Sequence, residues 1–90
     1  MADIVREVLC RKWALEILKL LAAEGTKNYS QIEAEFTTSS DVITGRLRDL
    51  EDAGLLTRNK KSPRDVRYSI TGDGERLVEL VDEIYELLDE

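Results

Sequence analysis

The residues best equipped for chemistry are basic and lie close together. Arg58, Lys60, Lys61, Arg64 and Arg67 stand against Asp65 alone, a local charge of +4 in a chain whose net charge is -6. Guanidinium and ammonium groups at this density attract phosphate even when the rest of the molecule repels it, although such runs are also common in solvated loops. A second group precedes it: Ser39, Ser40, Asp41, Thr44, Gly45, Arg46 and Arg48. The Arg48 guanidinium matches the paired acceptors of a guanine edge. Arg46 lies nearer the apolar positions and suits a phosphate or an acid such as Asp49. Thr44 offers itself to a thymine methyl or a phosphate oxygen, and Gly45 permits close approach at some cost in helix propensity. Ser39 and Ser40, like Asn28, stand where helices begin, so their polar groups serve phosphate or simply cap. Asp41 favours a helix start but repels phosphate unless it accepts from a cytosine amino group.

Other chemistry is poorly supplied. There is no histidine and one cysteine, so neither a conventional zinc cluster nor an internal disulfide is expected. No Ser, Cys or Asp sits beside a recognisable base, and the usual near-neutral proton carrier is missing. The expectation is a protein that is not an enzyme and needs no cofactor. Cys10, at the edge of an apolar stripe, reads as a small buried hydrophobe more readily than as a thiol activated by Arg11 and Lys12. Asp3, Arg6, Glu7, Arg11 and Lys12 interrupt the first dozen positions, and no run of 18 uncharged apolar residues follows. Neither a membrane span nor a signal-peptide core is expected, and the chain is expected in the cytoplasm. The acidic remainder suits a high-salt cytoplasm.

Several elements must position these groups. Ile4, Val5 and Val8 mark a short helix near 3 to 10, and Trp13, Ile17, Leu20 and Leu21 a second near 11 to 23, stopped by Gly25. Nothing between Cys10 and Arg11 decides whether the two are continuous. Asn28 and Gln31 have capping-box spacing for a helix near 29 to 36, with Ile32 and Phe36 inward. Tyr29 begins that helix, and its ring suits either core packing, as Trp13 and Phe36 do by their spacing, or a place at the edge of bound nucleic acid. Thr38 or Ser39 then caps a helix near 40 to 53, with Ile43, Leu47 and Leu50 along its inner face. After Gly54 the period changes to that of two strands, near 55 to 59 and 65 to 71, with Pro63 in the turn between them. The basic stretch falls at the tip and outer face of this hairpin. Gly72 and Gly74 bracket its exit, and a last helix follows from about 75 to 89. Leu77, Val78, Val81, Ile84, Tyr85 and Leu88 form a band wider than one small domain needs, flanked by Leu80 and Leu87.

A short helix, a turn, a helix with a small polar outer face and a basic hairpin together predict a winged helix-turn-helix: a mostly α fold with a small β-hairpin, one domain over 1-90. The run Gly45-Arg46-Leu47-Arg48-Asp49-Leu50-Glu51-Asp52-Ala53-Gly54-Leu55-Leu56-Thr57-Arg58, then Pro63, Val66, Tyr68-Ser69-Ile70-Thr71 and Gly74, resembles the HxlR-type regulators of the winged-helix group that includes MarR-type and ArsR-type proteins. Upstream, Lys12-Trp13, Ile17-Leu18, Leu20, Gly25, Asn28-Tyr29-Ser30-Gln31-Ile32, Ser39 and Val42-Ile43 are similar in order and spacing. The resemblance covers roughly 12 to 77. It implies a homodimeric repressor or activator of transcription that binds double-stranded DNA, paired through its terminal helices. Here those would contribute Ile4, Val5, Val8, Leu77, Val81, Ile84, Tyr85 and Leu88. Some members carry an oxidant-sensing cysteine about a dozen residues before the tryptophan and followed by proline. Cys10 lies three before Trp13 and is followed by Arg11, so that role does not carry over. The competing expectation is a winged-helix module for protein contacts in a larger transcription or repair assembly. A small-molecule effector, if any, would have to occupy the dimer seam or the space beside the second helix.

Overall fold

In the computed structural model, which describes residue 6 and residues 10–88, the elements run α1 (Ala14–Glu24), β1 (Lys27–Asn28), α2 (Tyr29–Ala34), α3 (Ser40–Asp52), β2 (Leu56–Ser62), β3 (Asp65–Ile70) and α4 (Gly72–Leu88). The expected contacts of Ile4, Val5 and Val8 lie outside the described residues.

The start of α1 answers the question of continuity. Cys10 N–H donates to the Arg6 carbonyl at 2.9 Å, but the chain then turns, and Trp13 adopts φ 79° before Ala14 opens the helix. A left-handed backbone at a bulky residue costs roughly 1–2 kcal/mol. Packing of the Trp13 ring offsets part of this, with Phe36 on one side, centroids 5.5 Å apart, and Lys12 Nζ 5.1 Å from the ring. Trp13 and Phe36 therefore close the rim of the core while remaining half-buried. The same turn leaves Cys10 exposed rather than buried as its neighbours suggested.

Local signals explain most of the remaining boundaries. Asn28 and Gln31 form the reciprocal capping box at α2, each bond 2.9 Å. Ser39, not Thr38, caps α3 by accepting from Val42 N–H at 3.3 Å. Its far end closes with Gly54 at φ 77°, where Gly54 N–H reaches the Glu51 carbonyl and Leu55 N–H the Leu50 carbonyl. Leu50 and Leu55 are both buried there, which supplies the apolar contact such a terminus favours.

The sheet has one strand more than the expected hairpin. The two-residue β1 joins β3, pairing Lys27 with Tyr68 and Asn28 with Arg67, so the antiparallel order is β1-β3-β2. Two residues are too few for alternation to reveal a strand. β2 also runs three residues beyond its expected end, with a register irregularity between Lys60 and Ser62. At the other end of β3, Thr71 ties three elements together. Its hydroxyl donates to the Gly54 carbonyl at 2.8 Å and accepts from Gly74 N–H at 3.0 Å, while its own N–H reaches the Leu55 carbonyl. α4 consequently begins at Gly72, and Gly74 lies buried within its first turn instead of marking the hairpin exit.

Ile17, Leu18 and Leu21 from α1, Ile32 from α2, and Ile43, Leu47 and Leu50 from α3 are fully buried together. Each contributes roughly 1.5–3 kcal/mol by leaving water. Leu77 and Val78 of α4 pack on this cluster, and Val81 is also buried. Leu77 and Val81, expected in a seam between chains, thus face the protomer's own interior. Leu80, Ile84, Tyr85, Leu87 and Leu88 do remain exposed, Leu87 to 80%.

Candidate nucleic-acid interface

The outer face of α3 is built by its inner one. Burial of Ile43, Leu47 and Leu50 turns Ser40, Asp41, Thr44 and Arg48 to solvent, with Gly45 half-buried beside them. Asp41 occupies the first turn, where its charge suits the helix dipole. Arg46 departs from this group. Its Nε donates to the Lys12 carbonyl at 2.8 Å, and its guanidinium lies 3.8 Å from Asp49, which Arg11 also approaches at 3.9 Å. The expected acid contact with Asp49 is present, and the guanidinium fastens α3 to the turn before α1.

The hairpin delivers its basic residues to two faces. Directly paired residues of antiparallel strands share a face. Arg58 opposite Tyr68 and Lys60 opposite Val66 therefore stand on the side that continues into the core, not on the outer face. Arg67, opposite Asn59, stands on the other side, and its Nε donates to Asp65 at 3.1 Å. The predicted basic cluster is thus divided.

Two concavities lie between α3 and the hairpin. One, of about 300 Å³, is bounded by Tyr29, Thr44, Arg58, Arg64 and Tyr68 among others. The second, about 350 Å³, is bounded by Thr44, Arg48, Glu51, Arg58 and Tyr68. Thr44, Arg58 and Tyr68 border both, so the helix and the hairpin open onto one surface. Among the described residues, Arg48, Arg58, Lys60, Lys61 and Arg64 make no ion pair, and the last four are exposed. Unpaired guanidinium groups converging on a concave, helix-walled surface suit an extended polyanion.

Tyr29, which the sequence leaves between core packing and an edge position, packs against the core and proves also to be a brace. Its hydroxyl donates to the Ser40 carbonyl at 3.0 Å and lies 3.1 Å from Thr44 Oγ1, joining the start of α2 to the first turns of α3. The capping box fixes Tyr29 as the first residue of α2, a signal that identifies where its ring starts but not what it reaches. Glu51, within the second concavity, had no sequence signal separating it from other helix-surface acids. Among the described residues no helix is long and apolar enough to cross a membrane.

Comparison with known proteins agrees with this fold. The family model for HxlR-like helix-turn-helix proteins matches residues 8–90. The HTH-type transcriptional regulator FarR of Neisseria gonorrhoeae is 36% identical over 80 residues, covering 82% of this chain and 55% of FarR. YdzF of Bacillus subtilis, an uncharacterised HTH-type transcriptional regulator, is 30% identical over 76 residues, covering 81% of this chain and 70% of YdzF. The chain therefore spans about half the length of the first of these relatives. Among solved structures, the reduced form of the transcriptional regulator YodB from B. subtilis superposes with a TM-score of 0.78 at 26% identity, over 91% of this chain and 82% of YodB. The fold and these relatives are those of transcriptional regulators, not of enzymes.

Proposed function

Because the chain belongs to the HxlR-like helix-turn-helix family, whose winged fold is that of DNA-binding transcriptional regulators, we infer that it binds double-stranded DNA sequence-specifically, as a homodimer, to regulate transcription. In this reading α3 enters the major groove, where Arg48 meets base edges, and Arg58, Lys60, Lys61 and Arg64 meet backbone phosphates. Ser39, Ser40 and Asp41 lie at the leading end of the helix. Arg46 acts from behind by holding α3 in place. The observation that carries the reading is the shared border of the two concavities: an α3 surface and a basic hairpin open to the same side, where Arg48, Arg58 and Arg64 make no ion pair among the described residues.

Pairing of two chains would use the exposed Leu80, Ile84, Tyr85, Leu87 and Leu88 of α4. Lys19 Nζ rests 4.5 Å from the Tyr85 ring, which orients that side chain at the margin of the patch. Two recognition helices then address half-sites roughly one helical turn, about 34 Å, apart. Selection of bound duplexes from a random library at several salt concentrations tests this. A near-palindromic sequence whose affinity falls steeply with salt is the expected result. No duplex bound even at low salt, together with recovery of a protein partner, would favour the protein-docking alternative.

A further inference from the structure

Tyr29 and Thr44 share a hydrogen bond whose polarity has consequences. A phenol has one proton to donate, and Tyr29 gives it to the Ser40 carbonyl. The bond between Tyr29 Oη and Thr44 Oγ1 is then made with the threonine's proton. Thr44 Oγ1 keeps both lone pairs free but has no hydrogen to offer a partner outside the chain. Yet Thr44 is exposed, borders both concavities, and stands one helical turn before Arg48.

Resting on the DNA-binding reading above, the geometry points to Thr44 as a specificity-determining residue that accepts a hydrogen bond from an exocyclic amino group in the major groove, adenine N6 or cytosine N4. Tyr29 is the positioning residue that fixes this polarity. Phosphate oxygens, thymine O4, and guanine O6 and N7 are acceptors, and a hydroxyl whose proton is already donated has nothing to give them. The phosphate contact that a threonine allows by type is therefore set aside. Arg48, which can only donate, reads the opposite pattern. Two positions one turn apart thus demand opposite hydrogen-bond character from neighbouring bases.

The test uses duplexes selected from a random library by the unaltered chain and by T44V, at one salt concentration. T44V is expected to lose preference at a single position of each half-site, by roughly 2- to 10-fold in relative affinity, the range of one neutral hydrogen bond. Other positions and the salt dependence should be unchanged. At that position the base bearing the amino group is then replaced by an analogue without it, purine for adenine or 2-pyrimidinone for cytosine. The analogue should weaken the unaltered chain by a similar factor beyond its effect on T44V, which has no contact left to lose. Y29F returns the threonine's proton and should admit thymine or guanine there. An equal effect of the analogue on both chains, or a T44V profile that matches the original or weakens all sequences alike, would overturn the assignment while leaving the DNA-binding reading intact. Failure to select any duplex would overturn both.

Discussion

Gly74→Ala is the substitution whose outcome the packing fixes most sharply. A Cβ built at this position comes within 2.6 Å of Ile70 Cγ1 and closer still to the Leu55 carbonyl oxygen. That oxygen is backbone and already accepts from Thr71 N–H at 3.0 Å, so it moves only by dragging the turn that joins α3 to β2. Overpacking of this kind costs about 1–3 kcal/mol. Weakening the Thr71 bond adds about 0.5–1.5 kcal/mol. Against these, alanine gains about 1 kcal/mol over glycine inside a helix. The balance is a loss of about 2 kcal/mol, which for a domain this small lowers the thermal midpoint by roughly 8–16 °C. Gly45→Ala supplies the internal comparison, since nothing lies within 4 Å of a Cβ there and its backbone is helical. It should gain up to about 1 kcal/mol and raise the midpoint by roughly 4–8 °C. Unfolding followed by far-ultraviolet circular dichroism, at one protein concentration so that association does not shift the midpoint, measures both. A Gly74→Ala chain that melts at or above the original would refute the close-approach argument.

Gly45→Ala should also weaken DNA binding despite its gain in stability, a divergence visible by titrating a selected duplex. Combined Lys60→Ala, Lys61→Ala and Arg64→Ala should weaken binding to every duplex and reduce the slope of log affinity against log salt by about 2.7, at 0.9 per phosphate contact; an unchanged slope removes the hairpin from the mechanism. Arg58→Ala should weaken binding several-fold more than Arg67→Ala, because Arg67 is on the opposite face and paired with Asp65. Equal losses would mean that the division of the basic cluster between faces has no bearing on affinity. Ile84→Glu with Leu88→Glu should leave the circular dichroism unchanged, both side chains being exposed, and yield monomers in sedimentation equilibrium. A persistent dimer would move the pairing surface elsewhere.

The elements that sequence disclosed best are those whose signals are local. Ile43, Leu47 and Leu50 repeat at helical spacing, Ser39 caps them, and Gly54 ends them, so α3 was readable within a residue. The Asn28 and Gln31 box likewise located α2. What escaped depends on contacts between distant positions. β1 exists because Lys27 and Asn28 meet β3 some forty residues later, and Gly74 reads as a turn residue until Leu55 and Ile70 are placed against it. For the candidate site, Arg48, Arg58 and Arg64 were identified by type and location. That Arg46 would reach the Lys12 carbonyl, that the hairpin's parity would separate Arg67 from Arg58, and that the Tyr29 hydroxyl would reach Ser40 and Thr44 all depend on pairings across the fold. Trp13 had ordinary core spacing, and its left-handed backbone is set by the turn that precedes it.

α4 carries six carboxylates and a single guanidinium, Arg76, which among the described residues pairs with Glu79 and Glu83. Bringing two such helices together along their exposed leucines also brings these charges together, and their repulsion is strongest in dilute buffer, where screening reaches farthest. For the proposed dimer on DNA, ionic strength would then act in opposite senses on the two steps, easing the approach of one chain to another and loosening the grip of each on phosphate. Occupancy of a two-fold site at limiting protein concentration should accordingly peak at an intermediate salt level, with the decline on the dilute side disappearing once the chains are concentrated enough to remain paired.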